Sequence, residues 1–169
     1  MTDQAIFEQR LAGLEQRLQI LEAIDRIKTL KARYFMACDS KKPELMRQCF
    51  VDGEVHIDYG PVGQFSHRDQ LVSLFSEVGC HPHMLEMHHG HNPVIQLDPE
   101  QTGLATGSWE LCYQLINTRD KILTQLGLIY QDEYREIDGQ WLISKTVTQP
   151  QSTLLLDISS DTPTLITVA

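Results

Sequence analysis

Apolar residues recur with helical spacing through the first part of the chain. Phe7, Leu11, Leu14, Leu18 and Leu21 follow one another at alternating steps of four and three, a single apolar stripe on a helix. Ile24, Ile27, Leu30 and Tyr34 continue the pattern, and no proline interrupts it before Pro43. The stripe from Phe7 to Leu21 is heptad-like over about two heptads, fewer than a coiled coil ordinarily needs. Such a helix packs either on a neighbouring subunit or along its own domain. Asp39-Ser40-Lys41-Lys42-Pro43 breaks it, and a short second helix is predicted from Pro43 to Phe50. Glu54 to Tyr59 alternates as a strand with Val55 and Ile57 on one face, and Gly60-Pro61-Val62-Gly63 reads as a turn. Ser66, three residues before Asp69, is a variant capping box for a third helix that stops at Gly79.

After His83 the period changes. Met84–Leu97, Gly103–Asn117, Ile122–Glu136 and Trp141–Thr148 read as four strands. The connectors are short, and Asp138-Gly139 between alternating runs is a hairpin signal. Helices followed by a long antiparallel meander define the α+β class. Strands of this length must twist and curl, so the expected architecture is a cone of curved sheet, its concave side closed by helices and one mouth left open. Residues 1–150 form one domain in this reading, and 151–169, which lack a period, form a loosely attached tail.

Composition narrows the function. Against 14 Lys and Arg stand 23 Asp and Glu, a formal charge of -9, which disfavours a phosphate backbone as partner. No apolar run approaches the length of a membrane span, and residues 1–21 do not resemble a secretory signal. Cys38, Cys49, Cys80 and Cys112 form no C-x-x-C pair and read as buried thiols in a reducing compartment. A cytoplasmic protein that binds neither nucleic acid nor membrane is expected.

Five of the seven histidines lie between Cys80 and Pro93. On a strand His88, Gly90 and Asn92 share one face, while Met87, His89 and His91 share the other. Three readings stand open: one histidine serves as a general acid or base inside the cone, His89 and His91 ligate a metal, or the cluster is solvated surface. A metal site would need a third ligand that the spacing does not supply. Asp39 ends the first helix. It either caps the following turn or, placed badly against the negative end of its own helix, has a compensating partner elsewhere. Tyr59, Trp109, Tyr113 and Tyr130 fall on the strands, either as core or as aromatics that orient a small apolar ligand.

With these residues in hand, the chain resembles the nuclear transport factor 2-like superfamily, in its SnoaL-like branch. That branch includes scytalone dehydratase and bile-acid 7-alpha-dehydratase. The likeness spans Leu14 to Thr148 and rests on Ile24–Phe35, Asp39, Met87-His88-His89-Gly90-His91-Asn92-Pro93, Ala105–Trp109 and Ile137–Trp141. It implies catalytic roles for Tyr34, Asp39 and His88, with His88 as the inward histidine bonded to Asp39. It also implies substrate contacts from Tyr59 and its neighbours, and no cofactor or metal. A dimer or trimer is implied as well. The chain departs from the branch where Tyr113, Leu128, Tyr130, Pro150 and Cys38 replace family residues that recognise a particular substrate. The implied function is a dehydratase or isomerase for a small apolar hydroxylated or carbonyl compound, steroid- or polyketide-like. The alternative is a non-catalytic ligand-binding or oligomerisation module of the same fold.

Overall fold

Helix α1 (Asp3–Asp39) opens the computed structural model, which describes residues 2–168. Its 37 residues give a rod of roughly 55 Å. Only the second half is buried, through Ile27, Leu30, Lys31, Tyr34, Phe35, Ala37 and Cys38; residues 2–22 are exposed throughout. Helix α2 (Pro43–Arg47) begins with proline at its first turn, as expected, but stops before Phe50. Phe50 and its neighbours are drawn off by the sheet instead. The Val51 amide donates to the Ile143 carbonyl at 3.0 Å, and the Ile143 amide donates to the Cys49 carbonyl at 2.8 Å.

Strands β1 (Glu54–Asp58) and β2 (Gln64–His67) form a hairpin, and helix α3 (Arg68–Val78) follows directly. The expected cap on Ser66 is corrected: His67 is the cap, because the first helical residue is Arg68 and His67 is the extended residue immediately before it. The His67 ring accepts the Asp69 amide at 3.2 Å, and the Gln70 side chain accepts the His67 amide at 3.2 Å. This closes the reciprocal box one residue later than the Ser-x-x-Asp spacing suggests.

The four long strands are β3 (Met84–Leu97), β4 (Leu104–Asn117), β5 (Ile122–Ile137) and β6 (Gln140–Asp157). The sheet runs β2-β1-β6-β5-β4-β3, curved and not closed by hydrogen bonds between its edges. All pairs are antiparallel except β1 with β6, so the expected antiparallel sheet is a mixed one. Asp138 and Gly139 both take positive φ, 51° and 74°, the conformation a two-residue primed turn requires between β5 and β6.

Strand β6 runs past Thr148, through Pro150, to Asp157, where it pairs with β7 (Thr164–Val168). Part of the segment read as a tail therefore belongs to the sheet. Proline is accommodated there for two reasons. A bulge lies opposite it, at Gly127/Leu128, and the β6 edge at Pro150 falls between the residues that pair with β1 and those that pair with β7.

The core joins the inner face of the sheet to the buried half of α1, with Ile27, Leu30, Phe50, Ile57, Trp109, Tyr134 and Ile143 at its centre. Cys38 and Cys49 are buried and Cys80 partly so. Cys112 is exposed, which corrects the expectation of four buried thiols: on β4 it alternates with buried Leu111 and so faces outward. No described helix is long and apolar enough to cross a membrane.

Candidate functional site

The end of α1 meets β3 through two side-by-side pairs. Asp39, the last residue of the helix, accepts from His88 twice. Its Oδ2 lies 3.1 Å from the His88 backbone nitrogen and its Oδ1 lies 2.5 Å from His88 Nδ1. Two residues on, the Lys41 ammonium bonds the Glu86 carboxylate. Positions 39 and 41 thus face 88 and 86, and strand parity puts Glu86 and His88 on the same side of β3. The partner that a carboxylate at a helix C-terminus calls for is this amide and imidazole.

The His88 side chain is 11% exposed, against 29% for Asp39. Its ring stacks on Phe35 at 5.7 Å and 16°, and meets Tyr113 edge-on at 4.8 Å. With Nδ1 held by Asp39, Nε2 has no hydrogen-bond partner among the described residues, and it is not sealed from solvent. A proton on Nδ1, pointing at the carboxylate, leaves Nε2 with its lone pair free. The Tyr113 hydroxyl donates to Glu86 Oε1 at 2.8 Å. Burial and the Glu86 carboxylate both push that phenol above its ordinary range, so it stays protonated as a donor.

A cleft of about 660 Å³ runs along this seam. Lys28, Ala32, Phe35, Met36 and Asp39 line it from α1, His88 to His91 and Pro93 from β3, and Trp109 from β4. A bulge between His91 and Val94, with Asn92 at φ 49°, bends β3 beside it. Gly90 is required here: a Cβ on it would lie 2.3 Å from Phe35 Cε2. Gly90→Ala is expected to push the Phe35 ring off His88 at a cost of about 1–3 kcal/mol in urea unfolding. An unchanged midpoint would show that Phe35 moves freely.

The structure brings Asp39, His88 and Trp109 to this cleft, with Tyr113 against the imidazole. Tyr34, Tyr59 and Tyr130 do not line the cleft: Tyr34 and Tyr130 are buried in the core, and Tyr59 is partly buried against it. The Tyr34 and Tyr59 hydroxyls bond each other at 2.7 Å, and the Tyr130 ring lies near both Phe35 and Tyr59. Burial raises all three phenols above their usual range.

Two further groups escaped the reading of the residues. Glu86 sits on the His88 face of β3, and strand parity alone was enough to find it. Lys31 occupies the inward row of α1 next to Leu30 and Tyr34, where a lysine is unusual. It is wholly buried, 2.7 Å from Asp132 Oδ2 and 3.7 Å from the centroid of the Tyr130 ring. Burial lowers its pKa, and the Asp132 carboxylate opposes that shift. His89 and His91 are exposed, with His91 3.6 Å from Glu110. Among the described residues no three His, Cys, Asp or Glu side chains are grouped to hold a metal.

A curved sheet covered on one face by helices, with a histidine–carboxylate pair at the helix end, defines a small α+β cone domain. The chain belongs to the SnoaL-like domain family, whose model matches residues 19–147. Solved structures share the fold. A candidate scytalone dehydratase from Novosphingobium aromaticivorans DSM 12444 superposes with a TM-score of 0.71 at 21% identity, covering 79% of this chain and 87% of that one. A hexachlorocyclohexane dehydrochlorinase, LinA type 2, gives 0.70 at 14% identity, covering 89% and 93%. A protein of unknown function with a cystatin-like fold from Nostoc punctiforme PCC 73102 gives 0.56 at 20%, covering 75% and 89%. At such identities the likeness is one of fold.

Proposed function

We propose that this SnoaL-like protein is a cofactor-independent lyase or isomerase for a small apolar hydroxylated or carbonyl compound, steroid- or polyketide-like, with Asp39 and His88 as its acid–base pair. The observation that carries the reading is the double grip of Asp39 on His88. The carboxylate holds the imidazole by Nδ1 and the backbone by its amide, which leaves Nε2 as the free base beside a cleft. Nε2 takes a proton from the carbon next to a carbonyl and Asp39 stabilises the imidazolium that results. The same nitrogen then returns the proton, either to a departing hydroxyl, which leaves as water, or to another carbon. One histidine serving both steps fits a syn elimination.

Two fold relatives bear names of the same chemical kind. A dehydratase removes water and a dehydrochlorinase removes hydrogen chloride, each a loss of H and a leaving group from adjacent carbons. Phe35, Met36, Pro93 and Trp109 suit an apolar substrate. Tyr34 and Tyr59 are proposed as donors to the developing oxyanion, each worth a few kcal/mol when aimed correctly, about 2.7–4. Neither lines the cleft, so their access to substrate requires the packing around it to yield.

The test is a panel of hydroxylated steroids and β-hydroxy ketones incubated in deuterated water. Mass spectrometry reads loss of water and α-deuterium uptake. Uptake or dehydration with wild type, abolished in His88→Ala, is the expected result. Turnover that His88→Ala leaves intact would exclude the pair. The rival reading, a non-catalytic binding module, is favoured by the bond between Tyr34 and Tyr59, which uses the donor proton of one of the two hydroxyls. It predicts ligand binding with no uptake by either protein.

A further inference from the structure

The first twenty residues of α1 expose an apolar stripe that the domain cannot cover. Phe7 and Leu21 are 66% and 64% exposed, and Leu11, Leu14 and Leu18 lie open between them. On the same helix Gln16, Ile20 and Ala23 lie beside the β3–β4 turn, and Ile27 and Leu30 carry that row into the core. At 3.6 residues per turn, the two rows stand roughly half a turn apart. α1 therefore has two apolar faces: one is used by its own domain, the other points away from it.

The steps of four and three place Leu11 and Leu18 at a positions and Phe7, Leu14 and Leu21 at d positions of a heptad repeat. The flanking positions are sorted by charge. Those that follow d, the e positions, are Glu8, Glu15 and Glu22; those that precede a, the g positions, are Arg10 and Arg17. In a parallel pair of identical helices, g meets the e position five residues later on the partner. Arg10 then faces Glu15 of the second copy and Arg17 faces Glu22, twice each by symmetry. In an antiparallel pair g meets g and e meets e, so arginine would face arginine and glutamate would face glutamate. Among the described residues, two of these charges are engaged, both along their own helix: Glu8 accepts from Gln4 Nε2 at 3.0 Å, and Glu22 is 3.9 Å from Arg26. Asp25, the next a position, ends the apolar seam where the helix enters the core.

We propose that residues Phe7–Leu21 form a parallel two-stranded coiled coil with a second copy of this chain, its register set by the Arg10–Glu15 and Arg17–Glu22 pairs. The arrangement holds the two cone domains side by side at the same end of the coil. It is independent of what the cleft does.

Sedimentation equilibrium of the full chain at micromolar concentrations is expected to give the dimer mass. Leu14→Glu/Leu18→Glu is expected to weaken the dimer at least about a hundredfold, because charges replace the centre of the seam. Its domain should melt with the same near-ultraviolet signal, since neither residue touches the core. Arg10→Glu/Arg17→Glu and Glu15→Arg/Glu22→Arg should each self-associate more weakly than wild type, and should pair with each other when mixed. Orientation is read by Leu21→Cys in a Cys80→Ser/Cys112→Ser background. A parallel seam sets the two thiols together and gives a disulfide-linked dimer on oxidation. An antiparallel seam centred on Leu14 puts them about 20 Å apart. A monomer, a trimer, a dimer indifferent to Leu14→Glu/Leu18→Glu, or no Leu21→Cys disulfide would each overturn the proposal.

Discussion

Lys31→Met is expected to destabilise the domain by about 3–5 kcal/mol, the cost of leaving a buried charge without its partner. Lys31 Nζ is the only cation within 4.0 Å of Asp132 among the described residues, and both side chains are 0% exposed. Asp132 Oδ2 also accepts from the Tyr134 hydroxyl at 2.7 Å, and that oxygen in turn accepts from Trp109 Nε1 at 2.9 Å. Asp132 Oδ1 is buried with no bond at all. Without the ammonium, the carboxylate keeps one phenol and no counter-charge. It must then either stay ionised in a low-dielectric interior or take up a proton. At a few degrees per kcal/mol for a domain of this size, the melting point should fall on the order of 10 °C. Adding Asp132→Asn should recover a good part of the loss, because the amide removes the unpaired charge and keeps an acceptor for Tyr134. Urea unfolding of the two variants reads both effects. A Lys31→Met domain as stable as wild type would show that water or rearrangement already screens the pair.

Asp39→Asn is expected to lower the turnover number by roughly 10²–10⁴-fold once a substrate is in hand, within tenfold of His88→Ala. The amide can still accept from the His88 backbone, so the fold should survive with a loss of about 1.5–3 kcal/mol from the weakened charged hydrogen bonds. At Nδ1, however, an amide offers either an acceptor without charge or an N–H donor. The donor would move the imidazole proton to Nε2, the nitrogen that has to act as base. The double variant Asp39→Asn/His88→Ala should be no slower than His88→Ala alone, since Asp39 acts through the ring. Independent, multiplicative losses would mean that Asp39 touches substrate directly. Tyr113→Phe separates a neighbouring role: it removes the donor to Glu86 but keeps the ring against His88. It is expected to change KM more than kcat.

The order of elements was legible because period carries it. Helical spacing held through Tyr34, strand alternation began at Met84, and Asp138-Gly139 announced a turn whose positive φ values the structure bears out. Local pattern failed where one element was taken over by another. Strand β2 ran through Ser66 to His67, so α3 began only at Arg68 with His67 as its cap, and Phe50 was drawn onto Ile143. Strand β6 ran through Pro150 because its neighbours on that edge stop short of it on either side. The parallel pairing of β1 with β6 joins residues some ninety positions apart, a choice no window of sequence contains.

At the site, strand parity alone divided the histidines into two faces, and Asp39 stood out as a carboxylate at the wrong end of a helix. Those are properties of the covalent chain: side-chain periodicity and helix polarity follow from backbone geometry wherever the segment ends up. Which face turned inward, that Asp39 met His88 across 49 positions, and that Phe35 stacked on His88 depended on how α1 lay across β3. So did the burial of Lys31 against Asp132, 101 positions away. These contacts arise from the single packing that satisfies the α1 core row and the curved sheet together, and only the tertiary structure decided them.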